Sequence, residues 1–120
     1  MADSHLSIRL DLMNGDRIGP GKIALLEAIR TTGSISGAAR ELGMSYRRAW
    51  LLVEAINDAL REPAVSAATG GRLGGGAAIT AVGEQIIAHY RAIERIAHAS
   101  ASAEFRAVNK LLRKRVRTQQ

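Results

Sequence analysis

The chain has 120 residues, 47% of them hydrophobic but only 3% aromatic, a net charge of +6 and no cysteine. One domain with an aliphatic core fits that length, and disulfides and thiolate metal sites are excluded. No apolar run approaches the roughly 20 residues that span a bilayer, and the N-terminus lacks the charged-then-apolar layout of a secretory signal, so a cytoplasmic location is expected. The charge is unevenly placed. Residues 106–120 hold Arg106, Lys110, Arg113, Lys114, Arg115 and Arg117 without an acid, while the rest of the chain is neutral. Basicity alone therefore argues for a domain over residues 1–105 and a basic tail over 106–120, which could be merely solvated.

Leu6, Ile8, Leu10 and Leu12 alternate with polar residues, the period of a half-buried strand, and Asn14-Gly15-Asp16 supplies turn chemistry. Pro20 suits a first helical turn. Ile23, Leu26 and Ile29 then give a helical stripe ending at Gly33. A second short helix is predicted from Ser34 or Ser36 to Leu42, since either serine can accept from the free amides of a first turn. Gly43 follows where a left-handed cap is expected. Ser45 caps a third helix reaching about Leu60, with Ala49, Val53, Ile56 and Leu60 on one side. Two helices joined by a tight glycine-containing turn make a helix-turn-helix.

Residues 64–68 and 77–80 can be short strands around a loop with five glycines in eight residues, which predicts a β-hairpin wing. Thr80 opens a fourth helix with Val82, Ile86, Tyr90, Ile93 and Ala97 on one stripe. Continued to about residue 103, it would be roughly 35 Å long. An apolar stripe outrunning so small a domain suggests pairing with a second copy, which makes those five residues the expected dimerisation surface. The fold class expected is mainly α with a small β-hairpin: a winged helix-turn-helix with a long C-terminal dimerisation helix.

In such a motif the second helix of the pair enters the major groove. Tyr46, Arg47, Trp50 and Glu54 fall opposite the apolar side of the third helix, with Arg48 and Leu51 flanking them. Arginine pairs bidentately with guanine, and tyrosine or tryptophan can pack on sugars or thymine methyls. Ser34, Ser36 and Ser45 set hydroxyls and amides at helix N-termini, where phosphates bind well. In the wing, the glycines let backbone approach a phosphate, and Arg72 at the loop tip could enter a minor groove.

Enzymatic signals are missing. Gly21-Lys22 lacks the preceding glycine and following hydroxyl of a phosphate loop, since Asp16 and Ile23 stand there. His5, His89 and His98 are not at metal-ligand spacings, and no Gly-x-Ser-x-Gly elbow occurs. Neither an enzyme nor a cofactor is expected.

The run from Gly33 to Trp50 (GSISGAARELGMSYRRAW) and the run from Ala68 to Thr80 (ATGGRLGGGAAIT) resemble the N-terminal DNA-binding domain of the ModE family of molybdate-responsive regulators, over about residues 7–100. The helix-turn-helix alone would be shared with LysR-type regulators. The resemblance implies a homodimer on a palindromic operator in double-stranded DNA. It implies DNA contacts from Ser34, Ser36, Ser45, Tyr46, Arg47 and Trp50, and from the wing residues Thr69, Gly70, Gly71 and Arg72. Full-length family members continue into a molybdate-binding domain. This chain has only the basic tail there, so a stand-alone short form with no molybdate site is expected. The alternatives are a winged-helix protein–protein module and a nonspecific DNA binder using the tail.

Overall fold

A computed structural model describes residues 4–68 and 75–115. The order is β1 (Leu10–Asp11), β2 (Arg17–Ile18), α1 (Pro20–Thr32), α2 (Ile35–Leu42), α3 (Tyr46–Ala59), β3 (Val65–Ala68), β4 (Gly76–Ile79), α4 (Ala81–Ser100) and α5 (Ser102–Leu111). The fold is mostly helical, with β3 and β4 forming the antiparallel wing in the register Val65↔Ile79 to Ala68↔Gly76.

Backbone caps set the helix boundaries. Gly33 and Gly43 close α1 and α2 at φ of 79° and 69°, a region that L side chains rarely enter. Ser34, not Ser36, caps α2, its Oγ accepting from the Gly37 amide at 2.9 Å. Ser45 caps α3 by accepting from Arg48 N at 3.1 Å, and Thr80 caps α4 by accepting from Gly83 N at 3.1 Å. Glycine is required at position 37, because a Cβ there would lie 2.8 Å from Ser34 Oγ and 2.9 Å from Thr32 Cβ.

The core is aliphatic. Ile23, Leu25, Leu26 and Ile29 of α1 meet Ala38 and Ala39 of α2, Ala49, Val53 and Ile56 of α3, and Ile87 of α4. Tyr90 is the one aromatic side chain in that buried cluster, 1% exposed. Its hydroxyl donates to the Ile8 carbonyl, tying the N-terminal segment across α4.

Three expectations are corrected. The strand expected over Leu6–Leu12 forms a ladder only at Leu10–Asp11, which pairs with β2, although the alternating burial runs through the whole segment. The fourth helix ends at Ser100 rather than near residue 103, and α5 begins after Ala101 (φ −94°, ψ 0°). Residue 106, where the basic segment was expected to start as a tail, lies inside α5. The radius of gyration, 17.5 Å, exceeds the roughly 14 Å of a compact chain of this length, as projecting helices require. Among the described residues no helix is long and apolar enough to cross a membrane.

Candidate nucleic-acid interface

A three-residue turn, Gly43 to Ser45, joins α2 to α3. The Met44 amide donates back to Ala39 O at 3.0 Å and the Gly43 amide to Arg40 O at 3.2 Å, so the turn is closed by backbone bonds. Ala49, Val53 and Ile56 bury one side of α3. At 3.6 residues per turn, the opposite side is then centred on Arg47, Leu51 and Glu54. Tyr46 and Trp50 stand to one flank of that centre and Arg48 to the other.

All these side chains are exposed. Tyr46 is 56% exposed, Trp50 41% and Leu51 46%, an unusual concentration of large apolar groups on the outer face of one short helix. Tyr46 and Trp50 line a groove of about 420 Å³ between the helix-turn-helix and the wing, facing Ser66, Ala67 and Gly76 across it, with Ser36 at its edge. Ser45, Arg47, Arg48, Leu51 and Leu52 surround a second, shallower depression of about 300 Å³ on the other flank. The first turn of α3 holds no acid. Two guanidiniums and the positive end of the helix dipole therefore share that end, an arrangement that attracts phosphate.

The wing is fastened to this surface at two points, and its base is closed by a bond from Thr80 N to Ala64 O at 3.0 Å. Ala77 N donates to Gly33 O at 2.9 Å. Asn57 near the end of α3 donates to Val65 O and accepts from Ala64 N and Val65 N. The recognition helix, the α1–α2 turn and the hairpin are thus held in one relative orientation.

Ser36, Ser45, Tyr46, Arg47, Arg48 and Trp50 come together on one side of the molecule. Ser34 lies nearby, half-buried, with its hydroxyl committed to the α2 cap. Thr69, Gly70, Gly71 and Arg72 lie outside the described residues. The expected dimerisation stripe divides. Tyr90 belongs to the chain's own core and is not available to a second copy, because its ring fills the space between α4 and the N-terminal segment. Ile86 packs against that core and Val82 is half-buried, whereas Ile93 is exposed and Ala97 half-buried. Sequence reasoning passed over Ile96, 67% exposed, and the exposed Val108, Leu111 and Leu112 at the end of the chain's helical part. Their spacing on a second amphipathic stripe was the available signal.

Sequence reasoning also missed the ion-pair clamp behind the site. Arg91 of α4 donates to both carboxylate oxygens of Glu27 on α1, at 3.0 and 2.6 Å, and to Glu94 at 2.7 Å. These bonds lower the Glu27 pKa below its ordinary 4.5 and raise that of Arg91 further. Among the described residues no group of three or more His, Cys, Asp or Glu side chains could hold a metal ion.

A crystal structure of a CbnR_DBD–DNA complex superposes with a TM-score of 0.56 over 73% of this chain and 95% of that one, at 19% identity. The helix-turn-helix and its hairpin define a winged helix-turn-helix domain. No protein-family model matches the chain. Three curated relatives are closer in sequence. Identity is 56% over 80 residues with the molybdenum-pterin-binding protein MopB of Rhodobacter capsulatus (67% of this chain, 30% of the relative). It is 43% over 88 residues with MopA of the same organism (73% and 33%). It is 39% over 77 residues with the DNA-binding transcriptional dual regulator ModE of Escherichia coli K12 (64% and 29%). Over these residues the chain is homologous to proteins named ModE, MopA and MopB, and it spans about a third of the length of the relatives it matches.

Proposed function

We propose that this chain is a sequence-specific, DNA-binding transcription regulator in which α3 enters the major groove and two copies bind a palindromic operator. The observation that carries the reading is the division of α3. One side is filled by Ala49, Val53 and Ile56, and the other presents Arg47, Arg48, Tyr46 and Trp50 beside a wing fixed in place by Asn57 and Gly33. Arg47 would pair with a guanine edge. Arg48, the α3 amides and Ser36 would hold phosphates, and Tyr46 and Trp50 would pack on the sugar–phosphate wall of the groove. The relatives' names support the reading, since one is a DNA-binding transcriptional regulator and others carry molybdenum in their names. Genes of molybdenum or oxyanion metabolism are therefore the proposed targets.

The second copy would cover Ile93, Ile96 and Ala97 of α4 together with the apolar side of α5. Two recognition helices related by that contact would meet half-sites a helical turn or a multiple of one apart.

Selection of bound sequences from random duplex DNA, with the full chain at near-physiological salt, tests the proposal. Enrichment of a palindrome with two half-sites supports it. No enrichment, with binding that vanishes as salt rises, would reduce the chain to a nonspecific DNA binder.

A further inference from the structure

Of the three residues at the centre of the outer face of α3, Arg47, Leu51 and Glu54, one is apolar. Leu51 lies opposite Ala49, Val53 and Ile56, one turn after Arg47, and nearly half of its surface is open to solvent. Its neighbours at three and four residues' distance are Arg47, Arg48, Glu54 and Ala55, all exposed. Three of those four neighbours are charged, so Leu51 is a branched apolar group set among charges at the middle of the helix. It matches the one apolar group that a base edge presents in the major groove, the 5-methyl of thymine. The depression shared by Leu51 with Ser45, Arg47, Arg48 and Leu52 gives that methyl a place to sit.

We propose that Leu51 is a specificity-determining residue that reads a thymine methyl group, working beside Arg47. The proposal rests on the DNA-reading function given above. Four residues along a helix advance it about 6 Å, one to two base-pair steps of about 3.4 Å. The thymine read by Leu51 is then expected within two base pairs of the guanine read by Arg47.

The test uses the full chain and the duplex enriched from the random pool, with each thymine replaced in turn by deoxyuridine, which lacks only the methyl. At one thymine per half-site the replacement is expected to weaken binding roughly fourfold, the loss for one methyl-sized apolar contact. Leu51→Ala, at an exposed position that leaves the fold intact, is expected to bind the thymine and uracil duplexes equally. Arg47→Ala is expected to keep the methyl preference while binding more weakly. A wild-type chain that selects a sequence yet ignores every methyl overturns the Leu51 assignment and leaves the DNA-reading function standing. A Leu51→Ala variant that retains the methyl preference also overturns it. A chain that enriches no sequence overturns both.

Discussion

Asn57 and Val65 exchange two hydrogen bonds: the Asn57 amide donates to the Val65 carbonyl at 3.1 Å, and its Oδ1 accepts from the Val65 amide at 3.1 Å. Oδ1 also accepts from Ala64 N at 2.8 Å. One side chain thereby satisfies three backbone groups where the chain leaves α3 for the wing. Asn57→Ala would strand those groups in a part-buried place, at a cost of about 2–3 kcal/mol. Asn57→Asp keeps both acceptor bonds but turns a carboxylate oxygen on the Val65 carbonyl in place of the donor, so it too should lose stability. Urea denaturation of the three chains measures the difference, and equal midpoints for Asn57→Ala and wild type would show that the clasp contributes nothing.

Gly83 and Gly21 make opposite cases of one substitution. A Cβ at Gly83 would lie 2.4 Å from the Ala64 carbonyl oxygen and 2.7 Å from Ile79 Cγ2, and that carbonyl already accepts from Thr80 N. Backbone must shift to admit it, so Gly83→Ala should lose about 3 kcal/mol. At Gly21, in the first turn of α1, a Cβ meets nothing within 4 Å. Gly21→Ala should therefore gain roughly half a kcal/mol from reduced unfolded-state freedom. Thermal melts of the two variants should move in opposite directions.

Much of the fold is legible in short-range signals. Gly33, Ser34, Gly43 and Ser45 mark helix ends by chemistry that acts within four residues, so the helix-turn-helix follows from the sequence with nearly the observed boundaries. Signals that depend on distant chain are not legible. Leu6, Ile8 and Leu10 alternate because one side of the segment faces the core, but β2 offers a partner of only two residues. The apolar periodicity of α4 continues past Ala101 without glycine or proline, which hides the break before α5. Tyr90 sits on the stripe by spacing, yet its burial depends on Ile8, more than 80 residues away in sequence. At the candidate site, Arg47 and Trp50 could be placed on the outer face from spacing. Leu51, expected on the flank, lies opposite Ala49, Val53 and Ile56, the same three residues that the sequence sets on the core side, so its central position follows from spacing as well.

The Glu27–Arg91 pair gives the stability a pH dependence. Because the Glu27 pKa is lowered in the folded chain, chiefly by its hydrogen bonds from Arg91, its contribution is present above the unfolded value of about 4.5 and lost as pH falls through the folded value. Both side chains are about a third exposed, so the effect is modest. Wild type is expected to melt higher than Glu27→Gln at pH 7, and the gap should narrow as pH falls below about 4.5 and close once Glu27 is protonated in the folded chain. A gap that stays constant on acidification would assign the difference to packing instead.

Ile96 and Tyr90 separate the two uses of α4. Tyr90 is inside the core, whereas Ile96 projects from the stretch where α4 leaves it. If α4 pairs with a second copy as proposed, Ile96→Glu should convert the dimer to monomer in sedimentation velocity while the chain keeps its helical spectrum. Tyr90→Phe removes the bond to the Ile8 carbonyl and should cost about 1 kcal/mol of stability with no change in oligomeric state. An Ile96→Glu chain that remains dimeric would move the contact elsewhere.

Arg47 and Arg48 are adjacent in sequence but not equivalent in direction, since successive helical residues point about 100° apart. Arg47 shares the centre of the outer face with Leu51, and Arg48 turns toward the flank. Arg47→Ala should therefore cost about 1–3 kcal/mol on the selected operator and relax the preference at one base pair per half-site. Arg48→Ala should weaken selected and random duplexes alike and lower the slope of affinity against salt by about one phosphate contact. Titration of both variants against both duplexes at several salt concentrations distinguishes these outcomes. Equal weakening of selected and random duplexes by both variants would mean that neither arginine reads a base, leaving specificity to Leu51, Tyr46 and Trp50.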